Sequence, residues 1–425
     1  MKKTFFLIFV ILNFAQVNAQ TKAINLNESE KIYGLSKFWS EIKYNFVYYD
    51  KLNFDWDSLY IANIEKVKST KDIVEYFNVL RSMCAKLKDG HTNVYFPLAF
   101  YGTEFSNTQL QTRLIENKVI ITGILNDTLK RQGLTIGMEI IKINGLEVKE
   151  YAQKYISPYV CASTKQDSIN RTFNYELLFG KIDEQIILLV KNEKGKLTEI
   201  TISRELKRQS PLAPAVDFKI LENNIGYLSL NSFGVSNFES QFDSVYKNIL
   251  TTTALIIDVR KNGGGSSNQG YYVLKHLTKS SFYGSGWRTR QYLPSFRAWG
   301  HNDSWFSEQP EKILPIQNTV YDKPVVVLTS ERTFSAAEDF CVAFDYMKRG
   351  KLIGTATGGS TGQPIMFDLP GGGMFRVCTK NDTYPDGKEF VGVGVQPDIV
   401  VEETVKSIIE NKDLTIEKAL EILKQ

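Results

Sequence analysis

The chain has 425 residues, of which 43% are hydrophobic and 12% aromatic, so it is long enough for two or three packed domains. Its formal net charge is only +4, and its lysines and arginines are spread along the chain without a basic block. This distribution excludes the electrostatic footprint of a nucleic-acid-binding protein.

The N-terminus has the three parts of a secretory signal peptide. Lys2 and Lys3 are followed by an apolar run over residues 5–12 and by small residues ending at Ala19. The apolar run is too short to span a bilayer. We therefore expect residues 1–19 to be removed. The mature protein would be periplasmic or extracellular and would have no membrane span.

Residues 20–97 have a helical pattern rich in aromatic residues, which predicts an N-terminal helical cap domain. Apolar residues recur at helix spacing in two stretches, namely Tyr33, Phe38, Trp39, Ile42, Phe46 and Val47, then Ile73, Tyr76, Phe77, Leu80, Met83 and Leu87. We expect Gly90 to end the second helix and a strand to begin at Val94. His91 lies at this junction, where it is either a base or a hydrogen-bonding residue of the turn.

The other histidines and the cysteines offer no better catalytic site and no metal site. His276 lies within a helical pattern, and His301 lies in a polar loop. The four cysteines have no metal-ligand spacing, and they are Cys84, Cys161, Cys341 and Cys378. The sequence therefore predicts no metal and no cofactor, and it leaves three disulfide pairings open.

Residues 98–208 alternate short strands with turns and resemble a PDZ domain. The strand patterns cover residues 119–122, 137–143, 185–190 and 199–202, and Asn144-Gly145 is a strong signal for a two-residue hairpin. PDZ domains bind peptides at a sheet edge, although a purely structural β-domain fits the same pattern. Residues 157–178 are expected to form an insertion or a long loop.

A linker at residues 209–214 precedes a predicted α/β core at residues 215–425. Buried strand patterns at 225–230, 254–259 and 325–329, two of them followed by helices, indicate an α/β layer. Gly263, Gly264 and Gly265 follow the second of these strands, where the backbone can approach a ligand. A phosphate-binding loop is the alternative, but its Gly-Lys-Ser/Thr sequence is missing.

The last quarter of the chain predicts a loop, a hairpin and a helix. Residues 357–363 are expected to form a mobile polar loop. Residues 366–369 and 374–378 are expected to pair around a Pro-Gly-Gly-Gly turn, and residues 416–423 to form an amphipathic closing helix.

Ser335 lies between the buried strand pattern at 325–329 and a helical pattern that begins at Ala336. A hydroxyl at a helix N-terminus lies among unpaired N–H groups, where an oxyanion can be held beside a nucleophile. An ordinary N-cap serine occupies the same position. Ser335 alone does not distinguish the two.

Several segments together resemble the serine peptidases that include the C-terminal processing peptidases and the tricorn core protease. In chain order, these segments are Asp89-Gly90-His91-Thr92, the PDZ-like middle, residues 258–265, Ser335-Ala336-Ala337-Glu338 and residues 392–398. The resemblance covers nearly all of the mature chain. It implies an α/β plus β fold: a helical cap domain, a PDZ-like β-domain and an α/β peptidase core. It also implies a serine-type endopeptidase that acts on peptides or unfolded proteins.

Members of this family activate the catalytic serine with one of two bases. Processing peptidases activate the serine with a lysine in the loop after the serine helix, and the matching position here is Ser360. The tricorn-like branch uses a histidine, and His91 lies in the matching motif. The resemblance therefore implies Ser335 as nucleophile and His91 as general base, with the N–H groups of Gly264 and Ala336 as oxyanion donors.

The chain departs from the tricorn pattern at two positions. Gly90 stands where that pattern has a serine before the histidine, and Val391 stands where it has a second carboxylate. Glu389, two residues away, is assigned the role of orienting His91, and the alternative is a solvated charge at a strand edge. Asp258 and Arg260 are expected to be structural.

A non-catalytic scaffold is the competing interpretation, and it would hold peptides or small apolar ligands without cutting them. Ester hydrolysis is a third, because it uses the same groups as peptide hydrolysis. The presence of both Ser335 and His91 favours an enzyme. The sequence does not indicate an oligomeric state.

Overall fold

The computed structural model describes residues 25–204, 213–316 and 319–424. The predicted signal peptide at 1–19 and most of the predicted linker at 209–214 lie outside these ranges. Within the ranges, no helix is both long and apolar enough to cross a membrane.

Helices occupy the N-terminal part of the chain, where periodicity predicted them. The elements are α1 (Glu28–Asn45), α2 (Trp56–Lys68), α3 (Ile73–Ala85) and the short strand β1 (Asn93–Tyr95). Asn27 and Asp72 cap α1 and α3 by accepting backbone hydrogen bonds. All of the predicted periodic residues on α3 are buried, whereas Tyr33 on α1 is exposed.

Short strands and helices form the middle of the chain. They are β2 (Phe105–Ser106), β3 (Leu110–Ile115), β4 (Lys118–Ile124), α4 (Asp127–Arg131), β5 (Glu139–Ile143), β6 (Leu146–Glu147), α5 (Val148–Tyr155), α6 (Lys165–Asn170), β7 (Gly180–Lys181), β8 (Gln185–Lys191) and β9 (Leu197–Ser203). The main sheet is antiparallel in the order β3-β4-β5-β8-β9. The Asn144-Gly145 hairpin is confirmed, because Ile143 pairs with Leu146 across it.

Residues 157–178 contain helical structure, and the expectation of a long loop is wrong. Thr164 caps α6 by accepting from the N–H of Asp167 at 3.1 Å, and a π-helical segment, Arg171–Glu176, follows directly. The sequence conceals this helix because its buried residues, Asp167 and Asn170, are polar and produce no apolar periodicity. π-helical turns occur frequently at functional sites.

The C-terminal part alternates strands and helices. Its elements are β10 (Val216–Ile220), β11 (Ile225–Leu230), α7 (Phe238–Ile249), β12 (Ala254–Asp258), α8 (Ser267–Lys275), β13 (Phe282–Tyr283), β14 (Gly286–Gln291), α9 (Pro294–Ala298), β15 (Ser304–Glu308), β16 (Lys312–Ile313), β17 (Val325–Thr329), α10 (Ala336–Tyr346), β18 (Lys351–Gly354), β19 (Ile365–Asp368), β20 (Met374–Val377), β21 (Asn381–Thr383), β22 (Ile399–Val400), α11 (Val405–Ile409) and α12 (Leu414–Leu423).

A six-stranded sheet in the order β10-β11-β12-β17-β18-β22 is the centre of this part. All neighbouring strands are parallel except β10 and β11. Every residue of β12 and β17 is buried, as expected for a parallel sheet covered on both faces. Arg260 at the end of β12 pairs with Asp258 at 2.7 Å and with Asp413 at 2.8 Å, a structural contact to the N-terminus of α12.

The N-terminal helices share their core with the predicted β19–β20 hairpin. β1 pairs antiparallel with β20, and β20 pairs antiparallel with β19. Phe375 on β20 is fully buried, with its ring 5.2 Å from Phe38 of α1 and 5.0 Å from Phe367 of β19. One hydrophobic cluster therefore contains residues of both the N-terminal helices and the β19–β20 hairpin.

Phe375→Ala is expected to lower the free energy of unfolding by about 3–5 kcal/mol, because it leaves a cavity between α1 and the hairpin. Urea unfolding followed by fluorescence measures this loss. Phe306→Ala on the half-exposed face of β15 is the control, with an expected change of about 0.5 kcal/mol. Equal effects of the two substitutions would contradict a shared core.

Candidate active site

Adjacent parallel strands bring two loops to one edge of the central sheet. β12 pairs with β17 in register, with Asp258 opposite Leu328. The glycine loop at 263–265 follows β12, and the loop that ends at Ser335 follows β17. The carboxyl ends of parallel strands are where ligands bind in open α/β sheets.

Ser335 has a backbone conformation that an ordinary N-cap residue does not adopt. Its φ is +58° and its ψ is −129°, whereas N-cap residues adopt extended angles. A non-glycine residue with positive φ is strained, and such strain collects at functional sites. A sharp, strained strand-to-helix turn of this kind exposes the nucleophile in α/β-hydrolases. The backbone thus presents the Ser335 hydroxyl.

His91 lies between two serine hydroxyls. Its Nε2 is 3.0 Å from Ser335 Oγ, and its Nδ1 is 2.9 Å from Ser360 Oγ. The ring is buried and stacks on Phe334 at 4.7 Å with an interplanar angle of 7°. With the proton on Nδ1, the imidazole donates to Ser360 and accepts from Ser335, the tautomer that a general base needs.

The environment keeps His91 neutral. Burial lowers its pKa well below the ordinary value of 6.5, and the positive charges of Arg376, Arg171 and Lys380 lower it further. A neutral imidazole can take a proton from Ser335.

Ser360 is held in place by Glu338. The predicted loop at 357–363 is confirmed as a loop, and residues 357–361 of it are buried. Glu338 is fully buried on the first turn of α10. Its Oε2 accepts from the N–H of Ser360 at 3.0 Å and from the N–H of Ser335 at 3.1 Å. Its Oε1 accepts from the N–H of Gly359 at 2.7 Å and from the hydroxyl of Thr357. One side chain therefore fixes both serines that flank His91.

Burial raises the pKa of Glu338 to about 8, even though its four hydrogen-bond donors favour the charged form.

Of the two predicted oxyanion donors, the N–H of Ala336 is free and the N–H of Gly264 is already bonded within the described residues. Ala336 is the first residue of α10, and its N–H has no acceptor among the residues that the structure describes. Gly264 lies beside it, because a Cβ on Gly264 would be 3.0 Å from the nitrogen of Ala336. However, the N–H of Gly264 donates to Asn262 Oδ1 at 2.9 Å, so it does not point at a free site.

Glu389 does not reach His91. Its carboxylate bonds to Arg288 at 3.2 Å and to the amide of Asn381 at 3.2 Å, and its side chain is 43% exposed. The assignment of Glu389 as the orienting residue is therefore corrected. Ser360 occupies the Nδ1 side of the ring instead.

Sequence reasoning missed two residues of the site. The sequence indicates Ser360 only as the residue in place of a lysine, and Glu338 only as the last residue of the Ser335 motif. The spacing Ser335-x-x-Glu338 is a capping-box signal, which could have identified Glu338. No local pattern places Ser360 on an imidazole 269 residues away in sequence.

A cavity lies beside the loop that carries His91, although neither His91 nor Ser335 lines it. Among the described residues, no group of three or more His, Cys, Asp or Glu side chains could hold a metal ion. A cavity of about 260 Å³ lies next to Asp89 and Ser163, and residues of the N-terminal part, including Tyr48 and Phe54, line it.

Comparisons with known proteins find peptidases that are similar to this chain. Residues 224–401 match the model of peptidase family S41. The carboxy-terminal-processing protease of Bartonella bacilliformis is 24% identical over 323 residues, covering 74% of this chain and 65% of the relative. The carboxyl-terminal-processing protease of Synechocystis is 24% identical over 229 residues, covering 53% of this chain and 50% of the relative. The chain thus spans between half and two thirds of these relatives.

Solved structures share the fold. Mature CPAF complexed with lactacystin has a TM-score of 0.72 at 15% identity, covering 93% of this chain and 98% of that one. The photosystem II D1 C-terminal processing protease has a TM-score of 0.52 at 19% identity, covering 88% of this chain and 93% of that one. The chain therefore has the fold of these proteases, and its C-terminal part, residues 224–401, is similar in sequence to peptidase family S41.

Proposed function

We propose that the protein is a serine peptidase that hydrolyses peptide bonds through an acyl-enzyme at Ser335, with His91 as general base. The observation that carries the proposal is the 3.0 Å contact between Ser335 Oγ and His91 Nε2, made by a serine with a φ of +58°. A strained serine in contact with a neutral, buried imidazole has the geometry of an activated nucleophile.

The reaction follows from these contacts. Ser335 Oγ attacks the peptide carbonyl carbon, and its proton passes to His91 Nε2. The N–H of Ala336 stabilises the oxyanion, which in comparable sites contributes about 3 kcal/mol per donor. His91 then gives the proton to the leaving amine. A water molecule hydrolyses the acyl-enzyme by the same steps, and Ser335 is restored. Gly264 can supply a second donor only if its N–H leaves Asn262.

Ser360 orients His91 in this proposal. The hydroxyl accepts from Nδ1–H and so holds the ring in the tautomer that leaves Nε2 free to accept. The matching position in the processing peptidases carries the lysine base. The proposed enzyme therefore uses histidine, as in the tricorn-like branch.

The substrates proposed are peptides or unfolded proteins in an exported compartment. The names of the relatives, carboxy-terminal-processing proteases, support a peptide substrate. The signal-peptide pattern at residues 1–19 supports export. The helical part at 20–97 is proposed as a cap over the cleft, residues 98–208 as a PDZ-like domain and residues 215–425 as the catalytic core. The antiparallel sheet of β3, β4, β5, β8 and β9 supports the PDZ-like assignment.

A peptide-holding scaffold is the alternative function, and a serine-reactive fluorophosphonate probe distinguishes it from the enzyme. Labelling of the wild-type protein should be abolished in Ser335→Ala. In His91→Ala its rate should fall by about 10²–10⁴-fold, because the base is lost. Labelling is measured as a second-order rate by gel fluorescence or intact mass.

His301→Ala is the matched control, since His301 is an exposed histidine outside the site. Its labelling rate should equal that of the wild type. A wild-type protein that does not react with the probe would favour the scaffold.

Glu338→Gln and Glu389→Gln separate the two candidate carboxylates. Glu338→Gln points an amide at N–H donors and should reduce the labelling rate by roughly 10- to 100-fold, because the Ser360 loop shifts. Glu389→Gln should change the rate less than about twofold, because its partners lie away from His91. A larger loss in Glu389→Gln would restore its orienting role.

The pH dependence of labelling tests the environment of His91. Only the neutral imidazole accepts a proton, so the rate falls as pH drops through the pKa of His91. Because burial and three nearby cations lower that pKa, the acid limb should lie below pH 6.5. An acid limb at or above pH 6.5 would contradict the buried site.

A further inference from the structure

Asp167 on α6 has a buried carboxylate oxygen that no hydrogen bond satisfies. The residue is 2% exposed, and its Oδ1 accepts from Arg171 Nε at 2.8 Å. Its Oδ2 has no hydrogen-bond partner within the described part of the chain. Leaving a buried acceptor unpaired is costly, so such an oxygen requires an explanation.

The unpaired oxygen faces the catalytic site across Gly90. A Cβ built on Gly90 would lie 3.1 Å from Asp167 Oδ2 and 3.0 Å from Ser360 Oγ. The two oxygens therefore face one side-chain-sized space, which stays open because residue 90 is a glycine.

The hydrogen-bonding needs of the two oxygens are complementary. Ser360 Oγ accepts the Nδ1–H of His91 in the proposed tautomer, so its own proton needs an acceptor. In the described residues, Ser360 Oγ has no hydrogen-bond partner other than His91. Asp167 Oδ2 is an acceptor without a donor, and it lies on the same side of Gly90.

We propose that Asp167 is a positioning residue of the peptidase, whose carboxylate accepts the hydroxyl proton of Ser360 across Gly90 and so orients His91. The hydrogen bonds in the structure run from Ser335 through His91 to Ser360, and the proposed bond from Ser360 to Asp167 extends them by one step. This inference rests on the proposed function. No proton leaves Ser360 during the reaction; the proton from Ser335 stops on Nε2 of His91.

Helix α6 is attached to the loop that carries Ser360. Thr164 Oγ1 donates to the carbonyl of Gly358 at 2.8 Å. Gln166 Nε2 donates to the carbonyls of Thr357 at 3.0 Å and Val393 at 2.8 Å. These contacts, made by two residues that closely precede Asp167, hold the start of α6 against the catalytic loop. The middle of the chain would thus contribute a side chain to the site.

Asp167 has one opposite charge and one like charge beside it. Arg171 on the adjoining π-helical segment pairs with it, while Asp89 from the loop before His91 is a neighbouring like charge. Burial raises the pKa of Asp167 above its ordinary value, and the charge of Arg171 opposes this rise.

The test combines Asp167→Asn, Ser360→Ala and the double variant in the fluorophosphonate labelling assay. Asp167→Asn should slow labelling roughly 10- to 100-fold while Ser335 remains reactive. Because Asp167 acts through Ser360, adding Asp167→Asn to Ser360→Ala should cause almost no further loss. Asp183→Asn, at an exposed position of the same part of the chain, is the control and should match the wild type.

A pH profile separates positioning from a purely structural role. An ionised Asp167 stabilises the imidazolium form of His91, so its removal should lower the pKa of His91 and move the acid limb to lower pH. Circular dichroism verifies that the variants are folded. Multiplicative losses in the double variant, or a slower rate with an unmoved acid limb, would overturn the role of Asp167.

The same assay keeps this inference distinct from the proposed function. If Ser335→Ala abolishes labelling while Asp167→Asn reacts like the wild type, only the role of Asp167 fails. If the wild type does not react, the peptidase proposal itself fails.

Discussion

One oxygen atom, Oε2 of Glu338, accepts the backbone N–H groups of both Ser335 and Ser360. These two serines flank His91, so this shared acceptor sets the spacing that the imidazole must fill. The other carboxylate oxygen holds Gly359 and Thr357 of the same loop. A carboxylate can serve four donors at once because it is an acceptor with several lone pairs. Its burial makes each of these bonds stronger than it would be in water.

The absence of a side chain at Gly90 leaves room for the Ser360 side chain next to His91. Gly90 directly precedes His91, and Ser360 lies in the loop after β18. A side chain on residue 90 would begin 3.0 Å from Ser360 Oγ, so the two side chains compete for one space.

The site depends on contacts between distant parts of the chain. His91 comes from the N-terminal part, Ser335 and Ser360 come from the C-terminal part, and α6 comes from the middle. Arg113 of β3 adds a further link, because it bonds at 3.0 Å to Glu331 in the loop before Ser335. Stability and catalytic geometry are therefore coupled, because a shift of any part moves a group at the site.

The sequence by itself determined the elements and the two central residues. Periodicity located the N-terminal helices and the strands of the central sheet, and Asn144-Gly145 located the hairpin between β5 and β6. His91 and Ser335 were identifiable because they lie in motifs with local spacing. Glu389 was misassigned because an extended segment near a motif does not reveal which way its side chain points.

Only the tertiary structure decided the rest. The helical nature of α6, the burial of residues 357–361 and the placement of Ser335 and Ser360 on either side of His91 depend on packing between segments far apart in sequence. Hydrogen bonds between such segments have no local periodicity or spacing. Their partners are chosen by which loops the parallel strands bring to the same edge of the sheet.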